Sequence, residues 1–283
     1  ISADSMQVYK HLDIGSAKIT EEEKEGIRHH LIDILEPEDE FNVYRFKQLA
    51  KSACDEILER GKLPVVAGGT GFYIQALLYD IDFGDKGQDE GYSEYLDGIL
   101  SEKGADHLYR MLTETDKDYA MTVHANNVRR VKRALEFYHE TGELLSEHNR
   151  RMRDKSSEYD FRYYVLDMPR DELYKRIDER VDIMFENGLL SEVSRLRDRG
   201  LKRTDASIQG IGYTELMEYL DGEISLERAK ELIKRNSRHY AKRQLTWFRR
   251  EKDVTMINKK DHSYDDDKIL EYIMEDLKEH GII

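Results

Sequence analysis

Residues 63–78 read LPVVAGGTGFYIQALL, and this stretch decides the fold class. Its first part is a continuous apolar run, which is typical of a strand buried on both faces in a parallel sheet. The periodicity predicts a helix from about Val43 to Arg60, with Gly61 as a C-terminal stop, and a short strand in HHLIDILEP at 29–37. Strand, helix and strand in this order indicate a βαβ crossover. The sequence therefore predicts an α/β core.

The glycine-rich turn GGTGFY at 68–73 follows directly on that strand. Open α/β sheets bind ligands at the carboxyl ends of their strands. Gly68, Gly69 and Gly71 allow positive φ and close approach to a ligand, and Thr70 offers a hydroxyl. A tight strand–helix turn without a ligand explains these residues at least as well. The turn is not a Walker A loop, because G-x-x-x-x-G-K-[ST] occurs nowhere in the chain.

The first ten residues, ISADSMQVYK, read as the end of a strand that leads to Asp4. An Asp at the rim of a sheet can act as a general base or hold a metal, but an N-cap or a solvated turn is the simpler interpretation of these ten residues. Gln7 carries an amide that is able to pair with an adenine edge. Such a strand would fray at a true N-terminus, so we expect part of the machinery to precede Ile1.

The pattern changes between about Asp82 and Glu158, where glycines and acids give way to helical segments without a strand. We therefore predict a helical insertion at 84–158 within a core formed by 1–83 and 159–283. The core continues with a strand at 161–169, helices at 171–187, 189–199 and 225–250, a short strand at 253–258 and a helix at 265–279.

Composition excludes several classes of protein. The 283 residues include 37% charged side chains, and the apolar runs fall far short of the roughly 20 residues that a membrane-spanning helix needs. A single cysteine, Cys54, excludes an internal disulfide and a Cys-based zinc finger. The His29–His30 pair lacks a third ligand at usable spacing, so no protein metal site is expected. We expect a cytoplasmic protein.

Basic residues are clustered although the net charge is −14. Residues 228–252 hold ten basic and two acidic side chains, and further basic clusters lie at 129–133 and 150–155. Local basic surface, and not the overall charge, meets phosphates, although a solvated helix face is the usual fate of such runs. Basic residues that alternate with Tyr240 and Trp247 suit looped nucleic acid. In the competing interpretation both aromatic rings belong to the core.

Six blocks together point to one family. They are ISADSMQVYKHLDIGSAK, HHLID, LPVVAGGTGFYIQALL, RRVKRALEFYHETG, IQGIGYTEL and YAKRQLTWFRR. In their order and rough spacing, from Ile1 to about Arg250, the chain resembles the bacterial tRNA dimethylallyltransferases.

The resemblance implies a P-loop-NTPase-like parallel sheet with an inserted helical subdomain, and nucleotide binding of the ATP-binding, P-loop type. It implies transfer of a dimethylallyl group from dimethylallyl diphosphate to the exocyclic amine of the adenosine 3′ of the anticodon, with Mg²⁺ assisting release of diphosphate. The partners it implies are the tRNA anticodon stem-loop and dimethylallyl diphosphate. We expect a monomer that binds no membrane.

The resemblance also implies roles for individual residues. The catalytic positions are Asp4, as the base, and Thr70. The positions that face tRNA are Asp4, Ser5, Met6, Gln7, Thr70, Arg129, Arg130, Arg133, Arg238, Lys242 and Arg243. Weaker diphosphate contacts fall on Gly69, Gly71 and Gln209.

The sequence departs from the family pattern at three places. The family's Q-R-x-x-R begins with Arg129 here, and Gln209 stands where relatives often have Arg. The family's phosphate loop, G-P-T-A-x-G-K-[ST], belongs before the ISADSMQVY strand and is not in this sequence, so we expect the main cradle for diphosphate to lie outside residues 1–283.

Two alternatives stay open. One is an adenylate isopentenyltransferase that acts on free nucleotides, against which the basic insertion argues. The other is a non-catalytic RNA-binding module.

Overall fold

The computed structural model describes residues 1–81, 89–153 and 155–283. Contacts divide the chain into two compact units, one of residues Ile1–Leu78 with Tyr159–Ile283 and one of residues Tyr79–Glu158. Each unit has its own hydrophobic core. The predicted boundary between residues 83 and 84 lies outside the described residues.

Helices dominate both units. In chain order they are α1 (Val43–Glu59), α2 (Gly71–Leu78), α3 (Glu90–Lys103), α4 (Ala105–Thr115), α5 (Lys117–Ala120), α6 (Val128–Thr141), α7 (Leu145–Arg153), α8 (Arg170–Glu186), α9 (Leu189–Asp198), α10 (Tyr213–Leu220), α11 (Leu226–Phe248) and α12 (Asp266–Glu279). Short 3₁₀ helices occupy Ala206–Gln209 and Lys259–His262. Within the described ranges, no helix combines the length and the apolar character needed to cross a membrane.

Every strand pairing in the described residues is parallel. Strand β1 (Tyr163–Asp167) pairs with β2 (Val254–Asn258), with Tyr163 opposite Val254. Two isolated parallel bridges join Ser2 to Ala67 and Tyr9 to Leu35. The predicted α/β class with parallel pairing is confirmed, although much of the pairing is reduced to single bridges.

The first three residues run beside residues 65–67. Ala67 N donates to Ile1 O at 3.0 Å, and Ala3 N donates to Ala67 O at 2.8 Å. Because parallel segments end at the same edge of a sheet, Asp4 and the turn after Ala67 emerge side by side. This arrangement positions the candidate site.

Two predictions about these segments are wrong. Residues 63–67 are not buried on both faces, since Leu63 is 44% and Val65 is 65% exposed. Among the described residues this segment pairs only with residues 1–3, which leaves its other edge without a strand. The segment 29–37 is not a regular strand, because positive φ at Leu31 and Asp33 turns the backbone before Leu35 reaches its bridge.

Local capping explains where the longer helices start and stop. Asn42 Oδ1 accepts from Arg45 N at 3.0 Å before α1, and Gly61 adopts φ +64° just after it. Ser225 caps α11 in the same way, as its sequence predicts. Along α11 the buried residues are Ala229, Ile233, Leu245 and Phe248.

The unit of residues 79–158 packs α4 against α6. Leu108 and Leu112 of α4 and Val131 and Leu135 of α6 are buried in one cluster. Val131 and Leu135 therefore lie on the inward face of α6.

A carboxylate on α12 ties the last helix to the β1 segment. Arg162 donates to Asp276 through Nε at 2.7 Å and through a terminal nitrogen at 2.8 Å, and the Tyr164 hydroxyl donates to the same carboxylate. These hydrogen bonds hold the pKa of Asp276 below its usual value of 3.8.

We predict that this contact stabilises the fold at neutral pH and is lost in acid. Since the pKa of Asp276 is lower in the folded chain than in the unfolded chain, its contribution is complete above the usual pKa and disappears as the pH falls through the lowered value. Chemical denaturation should show Asp276→Asn to be less stable than the parent at pH 7, with a smaller difference near pH 3. An equal difference at both pH values would contradict the assignment.

Candidate active site

Asp4 caps the turn that follows the first segment. Its Oδ1 accepts from Met6 N at 2.7 Å and from Gln7 N at 3.1 Å. Its Oδ2 accepts no hydrogen bond from the described residues. The capped-turn interpretation is thus correct, and it leaves one carboxylate oxygen available to a substrate.

The glycines of the turn at 68–71 leave space that other parts of the protein occupy. A Cβ at Gly68 would lie 2.3 Å from the Ala3 carbonyl oxygen, one at Gly69 would lie 2.1 Å from Gln244 Nε2, and one at Gly71 would lie 2.3 Å from Trp247 Cδ1. None of the three adopts positive φ, so that part of the prediction is wrong. The segment needs glycine because the backbone of Ala3 and the side chains of α11 approach it closely.

A backbone hydrogen bond to Ala3 places Thr70 next to Asp4. Its N–H donates to Ala3 O at 3.2 Å, and its carbonyl accepts from Tyr73 N at 2.8 Å, which starts α2. Its Oγ1 is buried and has no hydrogen-bond partner within normal distance among the described residues. A buried hydroxyl without a hydrogen bond lowers the stability of the fold, so this atom is a candidate for a hydrogen bond to a ligand.

Helix α11 lays Tyr240, Gln244 and Trp247 across the glycine turn. Gln244 Nε2 donates to Gly69 O at 2.8 Å. The Tyr240 ring is 38% exposed, while its hydroxyl is turned inward toward Thr70 and Gln244. Burial and the negative charge of Asp4 raise the pKa of Tyr240, so its hydroxyl stays a donor at neutral pH. The sequence suggested that the Tyr240 ring either contacts nucleic acid or belongs to the core. It carries no signal for the position of the hydroxyl.

Gln7 is engaged within the protein. Its Nε2 donates to Ser16 O at 3.3 Å and to Ala17 O at 3.4 Å, and its Oε1 accepts from Ser2 Oγ at 3.1 Å. Pairing with an adenine edge, as the sequence suggested, requires these long bonds to be given up. Met6 packs toward Gly210, where an added Cβ would lie 2.9 Å from its Sδ.

Lys18 is a further residue that sequence reasoning missed. Its side chain is only 5% exposed, and its Nζ donates to Tyr9 O and to the carboxylates of Asp13 and Asp33. A buried ammonium with three partners fixes the end of the loop 13–18. The Asp33 carboxylate lies 15 positions along the chain, so no local pattern signals this contact.

The predicted basic residues are distributed over both units. Arg129 and Arg130 are exposed on α6, whereas Arg133 lies 3.5 Å from Glu140 and 5.8 Å from the Phe137 ring centroid. In the other unit Lys242 and Arg243 are exposed on α11. Arg238 forms an ion pair with Asp178 of α8, so part of its role is to hold α11 against α8.

Gln209, which was predicted to contact diphosphate, is bonded within the protein, and His29 and His30 are not part of a cluster of metal ligands among the described residues. Gln209 Nε2 donates to Thr204 O at 3.2 Å. Burial lowers the pKa of His30, whose Nε2 has no hydrogen-bond partner in the described part of the chain. No group of three or more His, Cys, Asp or Glu side chains in that part could hold a metal ion.

We predict that Gly71→Ala disrupts the contact between the turn and α11. The new Cβ would overlap the Trp247 indole, and overpacking of this kind costs about 1–3 kcal/mol. Because Trp247 is the only tryptophan, its emission should shift to longer wavelength as the indole is pushed toward water. The control Gly98→Ala, which adds a methyl group in open space, should leave the emission unchanged. An unchanged spectrum in Gly71→Ala would refute the contact.

Comparisons with known proteins identify the family of the chain. The family model described as IPP transferase matches residues 7–251. The chain is 49% identical over 283 residues to a tRNA dimethylallyltransferase of Lachnoclostridium phytofermentans and 47% identical to one of Acetivibrio thermocellus, in each case covering all of this chain and 90% of the relative.

Solved structures give the same result. The full-length tRNA isopentenylpyrophosphate transferase of Bacillus halodurans has a TM-score of 0.71 and 44% identity, over 99% of this chain and 88% of that one. A eukaryotic dimethylallyltransferase acting on tRNA has a TM-score of 0.73 and 30% identity, over 91% of this chain and 66% of that one. With the match to the family model and relatives of this identity, the chain belongs to the IPP transferase family.

Proposed function

We propose that the protein transfers a dimethylallyl group from dimethylallyl diphosphate to the exocyclic amine of the adenosine 3′ of a tRNA anticodon, and releases diphosphate. The names of the relatives support the reaction. The observation that carries the proposal for this chain is the Asp4 carboxylate, with one oxygen held by two backbone N–H groups and the other unpaired. A cytoplasmic monomer fits the same proposal.

Asp4 acts as the general base. The exocyclic amine of adenine is a poor nucleophile, because its lone pair is delocalised into the ring. As the nitrogen attacks the allylic carbon, the C–N bond forms, the C–O bond to diphosphate breaks with its electron pair on oxygen, and the amine proton passes to Asp4 Oδ2. The two N–H donors on Oδ1 hold the carboxylate in one orientation, so little reorganisation accompanies the proton transfer.

Thr70 and Tyr240 supply hydroxyls beside the base. The unpaired Thr70 Oγ1 gains a partner when substrate binds, which offsets the cost of its burial. The Tyr240 hydroxyl is a donor and not a second base, because its pKa is raised.

The departing diphosphate needs donors and cations to stabilise its growing charge. The N–H groups of Gly69 and Gly71 make no hydrogen bond to described residues and remain candidates, with Gln209 as the weaker one. Mg²⁺ is part of the proposed reaction as a partner of the diphosphate oxygens. The described residues do not form a ligand set for it, so no step is assigned through it.

Exposed basic residues and the segment after Asp4 bind tRNA in this proposal. Extracting the target base from the stacked loop costs a few kcal/mol, which contacts elsewhere on the loop must offset. Arg129 and Arg130 are exposed cations suited to phosphates, as are Lys242 and Arg243. Ser5, Met6 and Gln7 then meet the base, and Arg133 and Arg238 are further proposed tRNA contacts.

We predict that Asp4→Ala in the full-length protein lowers transfer to tRNA by about 10²–10⁴-fold, the range expected for a general base. Equilibrium binding of tRNA should stay nearly unchanged, because the substitution removes a negative charge and leaves the basic residues in place. Single-turnover rates and a filter-binding assay measure the two quantities. If turnover survives within about tenfold, below the range for a general base, Asp4 is not the base.

We predict that Arg129→Ala and Arg130→Ala each weaken tRNA binding and reduce the salt dependence of the binding constant by about one counterion. Titrations at several salt concentrations give the slope. Arg110→Ala is the matched control, since Arg110 is an exposed arginine of the same unit on α4. Equal slopes in all three variants would exclude Arg129 and Arg130 from phosphate contact.

The two alternative functions give different results in the same assays. An adenylate isopentenyltransferase would prefer AMP over tRNA when both acceptors are offered side by side. A non-catalytic RNA-binding module would bind the anticodon loop with a steep salt dependence and form no product in the full-length protein.

A further inference from the structure

Glu192 of α9 is a buried carboxylate that holds the loop at 13–15. The residue is 2% exposed. Its Oε2 accepts from Asp13 N at 3.0 Å and from Ile14 N at 2.8 Å, and its Oε1 accepts from Gly15 N at 3.1 Å. Three successive N–H groups that point to one anion form a nest, and here the protein supplies the anion itself.

Tyr213 of α10 completes the contact from the other side. Its hydroxyl donates to Glu192 Oε1 at 2.8 Å, and burial together with the charge of Glu192 raises its pKa. Its ring lies so close to the loop that a Cβ at Gly15 would be 2.6 Å from it. The loop is therefore fixed by hydrogen bonds and by shape.

The loop in turn holds the segment that begins with Asp4. Ser16 O and Ala17 O accept from Gln7 Nε2, and Gln7 N donates to Asp4 Oδ1. A continuous set of hydrogen-bonded neighbours thus runs from Glu192, through the loop and Gln7, to the proposed base. The bonds made by Gln7 Nε2 are the longest in this set, at 3.3 and 3.4 Å, so they depend most on the exact position of the loop.

We propose that Glu192 is a positioning residue for the transfer reaction, which sets the orientation of Gln7 and Asp4 through the loop at 13–17. The inference rests on the proposed function, in which Asp4 is the base. Glu192 does not touch substrate. Its effect is to hold Ser16 O and Ala17 O where Gln7 reaches them, and so to fix the turn that Asp4 caps.

The test is Glu192→Gln in the full-length protein. The amide keeps the size of the side chain but presents an NH₂ group in place of one oxygen, so at least one of the loop N–H groups loses its acceptor. We expect kcat/KM for tRNA to fall by about 10–100-fold, since loss of a hydrogen bond to a charged group and a small misplacement have effects of this order. The KM for dimethylallyl diphosphate should stay within about twofold, because the proposal has Gln7 and Asp4 face the tRNA base and not the diphosphate.

Glu215→Gln is the matched control. Glu215 is also a buried carboxylate of this unit, 6% exposed, and accepts from Gly212 N at 2.8 Å and from Asn236 Nδ2 at 2.7 Å. It holds the start of α10 and not the loop. Both variants should lose stability, but only Glu192→Gln should lower kcat/KM for tRNA and increase amide hydrogen exchange at Asp13, Ile14 and Gly15.

A double-mutant cycle with Gln7→Ala separates positioning from general stability. If Glu192 acts through Gln7, the two substitutions together should cost little more than either alone. Fully additive losses, or a Glu192→Gln enzyme whose kinetics match those of Glu215→Gln, would overturn the proposal. Should Glu192→Gln not fold, Glu192→Asp is measured instead, and unchanged kinetics together with increased exchange at 13–15 would overturn it equally.

Failure of the proposed function is seen separately. An active Asp4→Ala enzyme would remove Asp4 as the base whatever Glu192→Gln shows. An inactive Asp4→Ala enzyme together with unaffected Glu192→Gln kinetics would overturn only the inference about Glu192.

Discussion

Close backbone approach at Gly68 is the constraint on which the candidate site depends. The Ala3 carbonyl occupies the space that a side chain at position 68 would need, so the ends of two parallel segments lie side by side. The same carbonyl accepts from Thr70 N, which brings the Thr70 hydroxyl next to the residue after Ala3. Gly69 and Gly71 extend this principle to α11, whose Gln244 and Trp247 contact the turn directly. The carboxylate of Asp4 and the hydroxyls of Thr70 and Tyr240 are brought together as a result.

Polar groups of the chain stiffen the surroundings of this site. The side chains of Glu192 and Lys18 are almost fully buried, Glu192 among the N–H groups of residues 13–15 and the Tyr213 hydroxyl, and Lys18 among Tyr9 O and the carboxylates of Asp13 and Asp33. A buried charge is tolerated only when its hydrogen-bonding capacity is filled, and a filled network has one geometry. Asp4 therefore belongs to a preorganised segment, while its own Oδ2 and the Thr70 hydroxyl have no hydrogen-bond partner among the described residues. A rigid site with unpaired polar atoms can bind a substrate with little rearrangement.

Local signals predicted α1, α8, α9, α11 and α12 with their approximate ends, but α10 was not predicted, and long-range contacts left no signal in the sequence. Asn42, Gly61 and Ser225 act on their immediate neighbours, so α1 and α11 were foreseen almost to the residue. Asp4 and Thr70 are candidates because of the motif resemblance, and the glycine turn serves close packing and not positive φ. Glu192 sits in LLSEVSRL, where it looks like an ordinary solvent-facing acid. Its loop partners lie 177 to 179 positions away, and no period in the sequence links them.

The parallel pairing of β1 with β2 has a consequence for the order of folding on the ribosome. Residue 163 emerges long before its partner at 254, so this pair cannot close until nearly the whole chain has been synthesised. The unit at 79–158, by contrast, packs helices that are neighbours in sequence, and contacts of this kind form fast. Nascent chains that reach β1 therefore carry a helical unit able to fold and an unpaired strand that waits for the C-terminal part. During that interval the edge of β1 that β2 later covers is unpaired, and an exposed strand edge favours aggregation.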